Sequence, residues 1–396
     1  MSKSTDIFYQ NLAQTTPFAL GYEISHAVAS TIYTTDGRAI LDFISGIGVS
    51  SLGHGHPAIK KAVIDQVEKH MHVMVYGEFI QESQSRLGEE LRLALPKELD
   101  SYYFVNSGTE AIEGALKLSK RATGRQQIIA FEKAYHGSTH GALSVSGNKI
   151  KQAPFLPLLP NIDRIQLNNL SDLDNITTQT ACVILETIQG DAGVRIPNYE
   201  YMQALRTKCS AVGALLILDE IQSGIGRTGK FMAFEHYDIV PDILTMGKAL
   251  GGGMPIGCFA SRKELMELLS DNPMLGHITT FGGHPVVCAA AAAGLKVIRD
   301  ENLIEGVQAK ADKIASLLVH PFIKEVRYKG LMIAVDLDSE DRVQKVVEGC
   351  LANGLLTFWF LSTPHSFRLA PPLNISDEDI EKGCAIILAS IEKTAT

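Results

Sequence analysis

The chain has 396 residues, 45% of them hydrophobic and 20% charged, enough apolar material for a sizeable folded core and more length than one typical domain needs. A formal charge of −8 argues against a nucleic-acid backbone or an anionic membrane as partner, and no uninterrupted apolar segment approaches the roughly 18 residues of a membrane span. Six cysteines without C-x-x-C spacing suggest reduced core thiols rather than a zinc cluster or a disulfide framework.

In chain order, the opening MSKSTDIFYQ lacks the apolar centre of an export signal, so a cytoplasmic location is expected. Residues 1 to about 35 read as irregular. A hairpin follows over Ile32–Phe43, turned at Asp36-Gly37. Gly53-His-Gly-His56-Pro57 offers two histidines but no third ligand nearby, so it reads as a loop before a helix that Pro57 starts, and no metal site is expected.

Tyr102–Val105 reads as a short strand, followed by Asn106-Ser107-Gly108-Thr109-Glu110 and a helix with apolar positions at Ile112, Ala115 and Leu116. Ser107 and Glu110 have capping-box spacing. A glycine-containing turn that opens a helix also presents backbone amides and a favourable dipole to an anion such as phosphate. Gln127–Phe131 is the next strand and leads to Tyr135-His136-Gly137-Ser138. Cys182–Leu185 is another, ending on Glu186 and followed by Gln189-Gly190-Asp191.

Leu215–Leu218 ends abruptly on Asp219-Glu220, as a buried parallel strand does where it delivers polar groups to a site, and Ile243–Met246 ends on Gly247-Lys248 before three glycines. Taken singly, a strand-end acid is usually a cap and a loop lysine usually a solvated charge. Between them, Gly224–Lys230 nearly matches a nucleotide phosphate loop, but Phe231 stands where the metal-ligating hydroxyl should be, and the loop trails the acidic strand instead of opening a helix after its own. No G-x-G-x-x-G follows a strand, which leaves a nicotinamide enzyme without its fingerprint.

Pro255–Ala260 reads as a returning strand and Val286–Arg299 as a long helix linking two lobes. Beyond them, strands at Phe322–Tyr328, Leu331–Leu337 and Leu355–Phe360 alternate with helices near 341–353 and 377–391, the latter capped by Ser376.

Several of these stretches, in this order, closely resemble one family. Asp219-Glu-Ile-Gln222, the GxGRTGK run and Thr245-Met-Gly-Lys248-Ala-Leu-Gly-Gly-Gly are similar to the cofactor-binding core of the class III aminotransferases, pyridoxal-phosphate (PLP) enzymes of the ornithine, acetylornithine and 4-aminobutyrate group. The resemblance runs from about Leu41 to Leu373. It implies an α/β protein of the PLP-dependent transferase fold type I, with a large domain on a mostly parallel sheet (51–290) and a smaller α/β lobe formed by both termini (1–50 and 291–396).

Carried over position by position, the resemblance makes Lys248 the lysine that forms an imine with the cofactor and then moves the proton, and Asp219 the acid that keeps the pyridine nitrogen protonated. It makes Gln222 a partner of the ring hydroxyl, Tyr135 the stacking aromatic, and Ser107, Gly108 and Thr109 the phosphate cradle, with Glu186 matching the ornithine-like branch. Thr280, in Thr279-Thr280-Phe281-Gly282-Gly283-His284-Pro285, would reach the phosphate of a neighbouring subunit and so implies a homodimer. Arg368, in Phe367-Arg368-Leu369-Ala370-Pro371-Pro372-Leu373, would clamp a substrate carboxylate and pair with Asp191.

Three positions depart from the pattern: Ser138 stands where many relatives have Arg, Asp191 where Glu is usual, and His284 where Asn is usual. The activity implied is transfer of an amino group from an ω-amino donor, ornithine-like or a less charged amine, to an oxo acid such as 2-oxoglutarate. An aminomutase on the same fold would share every cofactor residue.

Overall fold

The computed structural model describes residues 2–395. Its first sheet is N-terminal. Strands β1 (Ile24–Val28), β2 (Thr31–Thr34) and β3 (Ala39–Asp42) run antiparallel, with Gly37 at φ +85° turning β2 into β3 where Asp36-Gly37 predicts it. The stretch expected to be irregular is more ordered than that: it holds β1 and a helix over Lys3–Asn11 capped by Ser2. Neither shows an apolar period because that helix buries no residue and β1 is almost wholly exposed, so hydrophobic patterning had nothing to register.

The central sheet has seven strands: β4 (Ser101–Val105), β5 (Gln127–Phe131), β6 (Ile162–Ile165), β7 (Thr180–Glu186), β8 (Leu215–Asp219), β9 (Ile243–Gly247) and β10 (Gly257–Ser261). Their order across the sheet is β4-β10-β9-β8-β7-β5-β6, and only β10 runs against the rest. Strands β7, β8 and β9 are buried along their whole length because both faces are covered, and apart from Thr180 and Thr245 they are apolar up to their closing residues. Val183, Leu185, Leu216 and Leu218 enter one core while Cys182, Ile184, Leu215 and Ile217 enter the other. The helix Gly108–Thr123 lays Ala111, Ile112, Ala115 and Leu118 on that second core.

A third sheet is built from β11 (Ile323–Lys329), β12 (Met332–Leu337), β14 (Phe358–Trp359) and β15 (Ser366–Leu369), while β13 (Leu355–Leu356) pairs parallel with β3 in the first sheet. The single strand expected over Leu355–Phe360 is therefore two. The chain changes sheets at the buried Thr357, a division that local composition does not encode. The helices Pro285–Asp300, Glu340–Ala352 and Asp377–Glu392 lie within a residue or two of expectation, and Ser376 accepts the Asp379 amide.

The Gly224–Lys230 run serves as a clasp. Arg227 is fully buried, and its guanidinium donates to the carbonyls of Leu331 and Pro371 and to the Ser51 hydroxyl, joining segments far apart in the chain. Among the described residues, no helix is long and apolar enough to cross a membrane, and no group of three or more His, Cys, Asp or Glu is arranged to hold a metal.

Candidate active site

A pocket of about 290 Å³ opens at the carboxyl edge of the central sheet, where an open α/β sheet delivers side chains beyond its strand ends. Register places three groups side by side. Glu186 at the end of β7 pairs with Asp219 at the end of β8, Asp219 pairs with Thr245 of β9, and Lys248 follows β9 directly. Glu186, Asp219, Gln222 and Lys248 line the pocket with Gly108, Thr109, Tyr135, His136 and Ser138.

Lys248 has a left-handed backbone, φ +44°, uncommon for a residue with a side chain and imposed here between the strand and the short turn Lys248–Gly251. Burial lowers the pKa of its amine, and the attraction of Asp219 and Glu186 offsets this only in part. Asp219 is buried and held at both oxygens. The Ile221 amide donates to Oδ1 at 3.0 Å, and Oδ2 lies 2.7 Å from Nδ1 of the buried His136.

His136 carries no expected role from sequence reasoning. Its signal was its place beside Tyr135 in a strand-end loop, but only the fold brings it to Asp219. Its other nitrogen, Nε2, is buried without a hydrogen-bond partner. Glu186 accepts the amides of Tyr135 and Gly190, one on each oxygen, both at 2.8 Å. Burial and the nearby Asp219 charge nevertheless push its carboxyl up to about 7.

Opposite these groups, the 16-residue helix Gly108–Thr123 points its first residues into the pocket. Ser107 caps it by accepting the Glu110 amide, but Glu110 reaches back to the Asn106 amide rather than to Ser107, so the capping box closes one residue early. Ser107 itself is not on the pocket wall. The adjoining turn depends on Gly137 at φ +131°, where a Cβ would stand 2.3 Å from the Thr109 hydroxyl. The Tyr135 ring forms a wall and remains 40% exposed.

Arg368 and Asp191 sit beside the pocket, joined at 3.1 Å, although β15 and the loop after β7 lie 177 residues apart. Burial lowers the Arg368 pKa against the pull of Asp191 and Glu186. The guanidinium carbon lies 4.3 Å from the Phe360 ring centroid, and Nε is buried with no partner. Of the expected residues, Ser107, Asp191, Arg368 and Thr280 are not on the pocket wall; Asp191 and Arg368 are close enough to act on the Lys248 amine, whereas Thr280 lies in an exposed loop.

Comparison with known proteins accords with this geometry. The family described as aminotransferase class III matches residues 13–391. The chain is 39% identical over 357 residues to the acetylornithine aminotransferase of Methanopyrus kandleri, covering 89% of this chain and 90% of that one. It is 38% identical over 378 residues to the [LysW]-aminoadipate semialdehyde/glutamate semialdehyde transaminase of Sulfolobus acidocaldarius, covering 94% and 95%. The ornithine aminotransferase of Toxoplasma gondii superposes with a TM-score of 0.91 at 28% identity, over 98% of this chain and 94% of that one, and a further structure of that enzyme is described with PLP in partial occupancy at its active site.

Proposed function

This chain belongs to the class III aminotransferases, PLP enzymes that transfer amino groups, and from that premise we propose that it moves the distal amino group of an ornithine- or acetylornithine-type donor to 2-oxoglutarate. The observation that carries the reading is the convergence, at one sheet edge, of a strained half-buried lysine, a buttressed buried acid and the open amides of a long helix.

The residues present fit the cofactor. The first turn of Gly108–Thr123 supplies amides and a dipole for a phosphate, Asp219 supplies a fixed negative charge for a protonated ring nitrogen, and Tyr135 offers a face for stacking. Gln222 is positioned by Gly190, whose absent side chain lets the amide oxygen approach within 2.2 Å of where a Cβ would be. When bound, PLP supplies an aldehyde that carries the amino group and a cationic ring that withdraws electrons from the carbon losing its proton.

In this reading Lys248 moves that proton. An amine whose pKa is lowered by burial is a better base near neutral pH than an exposed lysine. Asp219 stabilises the positive charge next to it, and the His136 contact fixes its orientation. Arg368 takes a substrate carboxylate, for which its unpaired Nε is a ready donor, in exchange for Asp191.

We further propose a homodimer in which Thr280 serves the partner's site. What supports this is an exposed apolar surface of Met71, Met74, Phe79, Ile80, Met274 and Phe281, whose two loops are tied by rings of His72 and Phe281 5.1 Å apart. The test of the activity is a panel of amino acids, ω-amino acids and diamines with 2-oxoglutarate. Glutamate formation is expected to be fastest with acetylornithine or ornithine. Formation of no glutamate from any donor, or a product that keeps its nitrogen on a shifted carbon, would overturn it.

A further inference from the structure

Asp191 does not belong to Arg368 alone. Its Oδ1 accepts from Arg368 Nη2 at 3.1 Å and from the Leu361 amide, while Oδ2 faces the other way, 2.7 Å from the Ser362 hydroxyl and 3.3 Å from Lys151 Nζ. One carboxylate thus lies between two cations. Burial raises the Asp191 carboxyl, but Ser362, Lys151 and Arg368 together outweigh it and hold it below the ordinary carboxylate range.

Lys151 is itself fixed. It lies in the short helix Lys149–Gln152, whose cap Asn148 accepts the Lys151 amide and donates to Ser362, tying the two groups on the Oδ2 side to each other. Its ammonium also stands 5.4 Å from the centroid of Tyr135, on the pocket wall.

We propose that Lys151 is a positioning residue that sets the affinity for carboxylate substrates by keeping Asp191 neutralised when Arg368 is taken. The proposal rests on the reading of Arg368 as the carboxylate clamp. An incoming carboxylate at Arg368 needs only the Oδ1 contact of Asp191. The acid need not swing to solvent, because Lys151 and Ser362 retain it through Oδ2. Without Lys151, the same exchange leaves Asp191 with only the Ser362 hydroxyl and the Leu361 amide, a buried anion without a paired cation beside the bound carboxylate, and binding weakens. A substrate that places no carboxylate at Arg368 never asks for the exchange and does not sense Lys151.

The experiment is steady-state kinetics on the holoenzyme with 2-oxoglutarate and with a carboxylate-free primary amine. Lys151→Met is expected to raise KM for 2-oxoglutarate about three- to tenfold with kcat within about twofold, to leave KM for the amine unchanged, and to be rescued by Lys151→Arg. In an Asp191→Asn background the same change is expected to do nothing, since there is no anion left to hold. The proposal is overturned if Arg368→Ala raises KM for 2-oxoglutarate while Lys151→Met does not. It is equally overturned if the Lys151→Met penalty persists beside Asp191→Asn, which would mean that Lys151 acts on substrate or fold directly. If Arg368→Ala itself leaves KM unchanged, the clamp reading fails first and takes this one with it.

Discussion

The floor and the rim of the pocket are built on different principles. The floor is Asp219, Glu186 and Lys248, carried by adjacent parallel strands whose ladder fixes their spacing and whose neighbours are apolar on both faces. The rim is Asp191, Arg368, Lys151 and Ser138, drawn from a loop, an inner strand of another sheet, a four-residue helix and a glycine turn. A floor made by one sheet cannot shift one member without the others and suits a reaction step common to every substrate. A rim assembled from separate elements can vary one charge at a time, which suits substrate choice.

If the floor has that role, its variants fail in turnover whatever the substrate. Asp219→Asn is expected to keep the fold and lower kcat by about 10²- to 10³-fold for every donor, the size of losing one preorganised electrostatic contact. Turnover within tenfold of the unaltered protein would remove the distinction. Rim variants should discriminate instead. Arg368→Ala is expected to raise KM for 2-oxoglutarate by roughly one to two orders, the loss of a charge-assisted hydrogen bond, and to affect kcat far less. An equal fall in kcat for all substrates would move Arg368 into the floor.

The smallest effect concerns stability. Glu220, next to Asp219, is buried and accepts the Thr187 hydroxyl and the amides of Ala233 and Phe234, yet burial pushes its carboxyl from an ordinary 4.5 up to about 7. Between those values the folded chain holds a proton that the unfolded chain has lost, so raising the pH across that window removes stability. Glu220→Gln is expected to flatten the fall in melting temperature between about pH 4.5 and 7 relative to the unaltered protein. An unchanged slope would show that Glu220 ionises as an ordinary acid.

The same contrast governs how much could be read in advance. Strands β7, β8 and β9 were legible because continuous apolar runs end on polar residues, and Asp219 and Lys248 stand where those runs stop. The helix Gly108–Thr123 was legible because Ser107 caps it and its apolar period is strong. His136 beneath Asp219 was not, since a histidine after an aromatic residue has no periodic signal and its partner lies 83 residues away. Lys151 was invisible for the same reason, its carboxylate partner being 40 residues on, across two strands. The division at Thr357 and the ordered N-terminal helix and β1 escaped notice because long-range pairing, or an exposed surface, replaces local pattern there.

The central claim is that Lys248 at the end of β9 is the lysine that holds the cofactor. Reducing the PLP-loaded enzyme with borohydride, digesting it and mapping the peptides tests this directly. The account predicts a stable pyridoxyl group on Lys248 and loss of the visible absorbance. Recovery of that group on Lys230, the exposed lysine that ends the GxGRTGK run, or on any other lysine would contradict it.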